Sequence, residues 1–158
     1  MAFSTDNKYL ITVGVQGEDS LAVWDINSGI VIQSALIKHY ATNQVKINPM
    51  VAVGMMLKNQ DGDLQESTHI QFITVGNDAS LTIWRLDTKE QRLDFFDVAV
   101  PENLKGVNFL SIEFTQYLPA PANTYYVMVG ADDGSLIAYD LEKNTFVDLG
   151  TRGQVIEG

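Results

Sequence analysis

The side chains best suited to chemistry in this chain gather in one acidic segment, "NQDGDLQES", where Asn59, Asp61, Asp63 and Glu66 offer oxygen donors of the kind calcium takes. The spacing departs from the EF-hand loop, which needs glycine at its sixth position and a bidentate Glu at its twelfth. The segment therefore reads as a solvated insertion between two strands, with a small-ligand or calcium site after Leu57 as the sharper alternative. His39 and His69 have no second His or spaced carboxylate beside them and read as surface or turn residues, not zinc ligands or general bases. Cys is absent, which excludes disulfides, thiolate zinc sites and cysteine nucleophiles and suits a reducing compartment. The chain also has no Gly-x-Ser-x-Gly elbow and no glycine-rich phosphate loop, so no catalytic residue, cofactor or metal site is assigned.

The elements that must position any site are strands, because the sequence writes nearly the same line three times: "TVGVQGEDSLAVWDI" from Thr12, "TVGNDASLTIWRL" from Thr74 and "MVGADDGSLIAYDL" from Met128. In each, an aromatic comes four residues after a Ser, giving Ser20 and Trp24, Ser80 and Trp84, Ser135 and Tyr139. The runs "YLITVG", "QFITVG" and "YYVMVG" predict strands ending at Gly14, Gly76 and Gly130, where glycine would permit a sharp turn. Asp, Asn and Gly fill the turns that follow, as left-handed or self-bonding backbone requires. The partner strand "SLAVWDI" is apolar on both faces, Leu21 and Val23 on one and Ala22, Trp24 and Ile26 on the other, which predicts cover on both sides. Trp24, Trp84 and Tyr139 are expected in the core.

Further strands are predicted at "IVIQSAL", "QRLDFFDV" and "TFVDLG", and preceding ones at 50–57 and 108–115, with Phe3 the remnant of the first. Met50, Met55 and Met56 would then be core residues, and "QYLPAPAN" a stiff loop. Each unit has four short antiparallel strands, and a sheet apolar on both faces must stack on its copies to bury them.

The bulk numbers agree. A chain of 158 residues, 46% hydrophobic and 19% charged, can bury a core and has no apolar run near the ~18 residues of a membrane span. Its start lacks a secretory signal. The formal net charge of -10 would repel phosphate backbones, so nucleic acid is excluded as a direct partner and a basic protein surface is favoured.

These residues resemble WD40 repeats: Val23-Trp24-Asp25, Ile83-Trp84-Arg85, Ala138-Tyr139-Asp140 and the opening "FSTDNKYLITVG" match the family's pattern. The resemblance covers almost the whole chain and implies an all-β fold of WD40-type propeller blades: about three four-stranded antiparallel blades in an incomplete, open propeller. Blade I would span 1–38 and be incomplete, blade II 46–98, blade III 104–150, with a further blade starting at 151–158. A closed propeller needs about four blades or more, so a fragment or a truncated product is expected. The resemblance also implies that an Asp in the turn before the third strand joins a buried hydrogen-bond network; the matching positions are Asp19, Asp78 and either Asp132 or Asp133. The family's Gly-His partner has no counterpart here. The irregular repeats look like those of cilia- and flagella-associated WD-repeat proteins and echinoderm microtubule-associated-protein-like propellers.

The resemblance implies a non-catalytic protein–protein interaction scaffold, cytoplasmic and in a cytoskeletal or ciliary setting, with partners such as axonemal proteins, tubulin or further blades of a parent chain, and without nucleic acid or membrane. The acidic charge favours a basic intermediary over direct contact with the acidic microtubule surface. The alternative is a propeller segment supporting an enzyme or ligand-binding domain encoded elsewhere in a longer chain.

Overall fold

The computed structural model describes residues 1–14, 21–37, 41–49, 56–58, 61–114 and 126–148. Its strands are, in chain order, β1 (Ala2–Phe3), β2 (Tyr9–Val13), β3 (Leu21–Asp25), β4 (Ile30–Ala35), β5 (Thr42–Ile47), β6 (Met56–Lys58), β7 (Leu64–Glu66), β8 (His69–Gly76), β9 (Ser80–Asp87), β10 (Arg92–Asp97), β11 (Phe109–Phe114), β12 (Tyr126–Ala131), β13 (Leu136–Asp140) and β14 (Thr145–Asp148). They form three four-stranded antiparallel sheets, ordered β1-β2-β3-β4, β5-β8-β9-β10 and β11-β12-β13-β14, plus the hairpin β6-β7. The all-β fold of three four-stranded antiparallel blades is therefore what this sequence makes, and the arrangement is open. Among the described residues no helix is long and apolar enough to cross a membrane.

Two apolar layers hold the sheets together, with the second sheet in the middle. Alternation along β8 and β9 sends Ile70, Phe72, Trp84 and Leu86 toward the first sheet, where Ile11, Leu21 and Val23 meet them. The intervening residues Ile73, Val75 and Leu81 point the other way, onto Ile112, Phe114, Val127, Val129, Ile137 and Tyr139 of the third sheet. A strand with period-two side chains and apolar residues at both parities must be covered twice, and the middle sheet is.

The third strand of each unit ends in the same turn. Asp25 accepts from the backbone N–H of Asn27 and Ser28 at 2.9 and 3.2 Å, Asp87 from Lys89 and Glu90 at 3.0 and 3.1 Å, and Asp140 from Glu142 and Lys143 at 2.9 and 3.0 Å. Four residues past each Asp the chain turns left-handed, at Gly29, Gln91 and Asn144 with φ of 70, 53 and 53°. Self-bonding carboxylates and a left-handed exit are how short hairpins close.

Four expectations need correction. The first strand of the second sheet is β5, not 50–57: its "TNQVKI" buries Val45 while Thr42, Gln44, Lys46 and Ile47 are half-buried, so it lacks the apolar density that drew attention to the Met-rich segment. Residues 56–58 instead pair with Leu64–Glu66 in the separate hairpin. Gly14, Gly76 and Gly130 are not left-handed; Gly14 follows β2 and Gly76, paired with Ser80, ends β8 as expected, whereas Gly130, paired with Leu136, lies inside β12, which runs on to Ala131. Ile26 is not a strand residue but an exposed turn residue, because β3 stops at Asp25.

The glycine result carries a register consequence. Gly76 is opposite Ser80, and Ala131 donates to the Ser135 carbonyl at 3.0 Å, so each turn holds three residues, Asn77-Asp78-Ala79 and Asp132-Asp133-Gly134. Gly76 thus corresponds to Ala131, one residue beyond the Gly130 that its neighbours in sequence suggest. Gly130 takes the place of Val75, and there a Cβ would come within 2.6 Å of Ser111 Oγ.

Candidate functional site

Three repeated aromatics and their partners form the most regular feature. Trp84 is buried, stacked on Phe72 with ring centroids 5.8 Å apart and 2° between planes, and touches Phe95 at 5.3 Å. Its indole N–H donates to Thr74 Oγ1 at 2.9 Å, which satisfies a donor that burial would otherwise leave unpaired. Trp24 makes the same bond to Thr12 Oγ1 at 2.9 Å but is half-buried. In the third sheet the one-residue register shift puts Val129 where Thr12 and Thr74 stand, and the buried Tyr139 sends its hydroxyl to Asn144 Oδ1 at 3.1 Å instead. Burial, followed by the Asp140 charge, raises the Tyr139 phenol pKa. The Thr partners were legible in the sequence as the first letters of both "TVG" runs.

The turn Asp residues meet in a clasp between sheets. Asp78 has φ of 62°, accepts from the Gly106 N–H at 3.0 Å, and its own N–H donates to Asn108 Oδ1 at 3.0 Å. Asn108 in turn donates through its backbone and its Nδ2 to the two carboxylate oxygens of Asp132, at 3.0 and 2.9 Å. The clasp is exposed, not buried as the resemblance implied. Asp133, the residue matching Asp78 by register, accepts from the Ser135 N–H at 2.9 Å. On the inner edge, Asn43 Nδ2 donates to the Phe109 carbonyl at 2.8 Å, and Gln44 Oε1 accepts from the Ile112 N–H at 2.5 Å. Side chains of β5 thus occupy open ladder groups of β11, which blunts an edge strand. Asn108, Asn43 and Gln44 carried no periodic signal and were missed.

His69 lies in β8, half-buried, and its Nε2 accepts from Arg85 at 2.7 Å and stands 3.4 Å from Asp87. It is a strand residue, not a turn residue. Asp87 is the turn Asp of the second sheet, displaced from the position after Trp84 by a strand two residues longer; Arg85 occupies that position. The backbone N–H of Glu90 first, then Lys89, His69 and Arg92, hold the Asp87 carboxyl below its usual range.

Asp61, Asp63 and Glu66 are exposed, and among the described residues no group of three His, Asp or Glu could hold a metal ion. Asp19, His39, Met50, Met55, Asn59, the 116–123 loop and 151–158 lie outside the described residues. Facing the outer rim, Phe95 and Phe96 of β10 are 62% and 54% exposed, beside Asp94 and Asp97.

No protein-family model matches the chain, and no curated protein matches it significantly. Among solved structures it is similar to the C-terminal WD40 domain of Sif2, at 14% identity and a TM-score of 0.28, with 90% of this chain and 54% of that one covered. The chain spans about half the length of that domain.

Proposed function

We propose that the chain is a non-catalytic protein–protein interaction scaffold of WD40-type blades, acting in the cytoplasm within a larger cytoskeletal or ciliary assembly. The observation that carries this reading is the rim strand β10, where Phe95 and Phe96 are exposed between carboxylates on a four-stranded sheet anchored by Trp84. Exposed aromatics on a rigid support are what a protein partner buries as anchors, and flanking acids select basic neighbours on that partner. The net charge of -10 supports a basic protein over nucleic acid. The ciliary setting rests on the resemblance of the irregular repeats.

The test is Phe96→Ser in the full chain, since this ring is exposed and can be removed with little cost to the core. Cross-linking mass spectrometry in cells is expected to lose the wild type's cross-links around β10 while the melting temperature stays within a few degrees. An unchanged cross-link set sinks the rim reading. A fluorescent fusion diffuse in ciliated cells sinks the ciliary one.

A further inference from the structure

The molecule contains one kind of interface twice and both halves of a third. In the second and third sheets the face carrying the repeated aromatic packs on the opposite face of the sheet before it. Trp84, Phe72 and Ile47 of the second sheet meet Ile11, Leu21 and Val23 of the first, and Tyr139, Val127 and Val129 of the third meet Ile73, Val75 and Leu81 of the second. Among the described residues no sheet covers the first sheet's own aromatic face in this way. Strand pairing aligns Phe3 with Ile47, Leu10 with Phe72, Trp24 with Trp84 and Val31 with Phe95. Phe3 is 55% exposed while its counterpart Ile47 packs against the core; Val31 and Phe95 are both exposed, at 40 and 62%, so the outer end of this row stays open even where the face is covered.

The far face of the third sheet is the matching half. Leu21, Leu81 and Leu136 follow the same Ser of the repeat, and the first two are buried at 0 and 2% because a neighbouring sheet lies on them. Leu136 is 41% exposed. Beside it stand the half-buried Met128 and Gly130 and the buried Ala138, which replace the larger Ile73, Val75 and Ile83 of the second sheet. The small residues leave a shallow surface opposite the bulky Trp24 and Phe3 of the other end, so large meets small across the join.

We infer that these two faces join head to tail between copies of this chain, the Trp24 face of one on the Leu136 face of the next. The occupant is a second copy because the same pair of faces is already joined twice inside the chain, so the third join continues an established interface. Contacts of this kind are heterologous, and they close into a ring or extend as a filament. The inference rests on the stacking of the sheets and not on the scaffold function proposed above.

Sedimentation velocity of the full chain over a concentration series tests it, with Phe3→Asp spoiling the head and Leu136→Asp the tail. Both substitutions fall at exposed sites, and near-ultraviolet circular dichroism confirms that each variant folds; Phe3→Ser replaces Phe3→Asp if it does not. Wild type is expected to associate beyond the monomer, and each variant alone to sediment as a monomer. Mixed, the two variants retain one good head and one good tail and form a dimer that grows no further. A wild type that stays monomeric overturns the inference. So does association abolished by one substitution but not the other, the mark of a like-with-like interface, and so does a mixture that fails to dimerise.

Discussion

Trp24 and Trp84 occupy the same place on successive sheets and donate to the same kind of acceptor at the same 2.9 Å, yet one is only partly buried and the other fully. Both follow a Ser-Leu, both sit in the third strand and both stand diagonal to a Thr, although the pairing with the fourth strand shifts register just before Trp24. The difference is what lies over the ring. Trp84 has Phe72 stacked beneath it and the first sheet across from it, whereas Trp24 has Leu10 and Val31 beside it and, among the described residues, no sheet beyond. A repeat supplies the same side chain to each unit, but burial energy depends on the neighbour, and the units at either end differ from the one between them.

The comparison is broken most directly by removing the rings. Trp84→Ala is expected to cost about 3–5 kcal/mol, the range for emptying a packed aromatic site, and Trp24→Ala less, about 2 kcal/mol, because that ring is only partly buried. Urea unfolding at low protein concentration measures both. Equal losses would mean that the first sheet's aromatic face is covered in the monomer.

A finer contrast is the acceptor. Thr74→Val leaves the buried indole N–H of Trp84 unpaired and is expected to cost about 1–3 kcal/mol, while Thr12→Val is expected to cost less, about 1 kcal/mol, because the Trp24 bond is only part-buried. The third sheet has already made this substitution, with Val129 in the Thr position, and its aromatic is a Tyr that finds its partner elsewhere.

The smallest effect concerns the turns. The Asp87 carboxyl is held below its usual range, so it contributes stability that is present above the unfolded carboxyl value of about 4 and is lost as pH falls through the lower folded value. Asp87→Asn keeps an acceptor for the Lys89 and Glu90 N–H groups but removes the titration. The gap in melting temperature between wild type and variant is expected to narrow from about pH 5 downward toward pH 3, by scanning fluorimetry across that window. A gap that is constant with pH would place the acid sensitivity of this sheet elsewhere.

Most strands were legible because their signals are local. "YLITV", "SLTIW" and "TFVD" are β-branched or aromatic runs bounded by turn residues, and the structure makes strands of all three. The two places that misled have physical reasons. Strand β5 looked too polar because Asn43 and Gln44 serve as hydrogen-bonding groups toward β11 and not as core, while the Met-rich stretch after it had the hydrophobicity expected of a first strand. The Val-Gly of the third unit suggested the register of the first two, but the structure places Ala131, not Gly130, opposite the Ser. Side chains alternate with period two, so this single step exchanges the faces of Val129 and Met128. Asp87 escaped because Arg85 stands where the other units have their Asp.

By itself the sequence determined the threefold alternation of strand and turn, the Asp residues that bond their own turns, and the positions of Trp24, Trp84 and Tyr139, because propensity, period and turn chemistry act over a few residues. Only the tertiary structure decided which first strand joins the second sheet, which residue of the third unit faces its neighbour, and which of two equivalent tryptophans is buried. Those outcomes depend on pairing and stacking between segments far apart in the chain, where one residue of register or one missing neighbour changes the environment of an unchanged side chain.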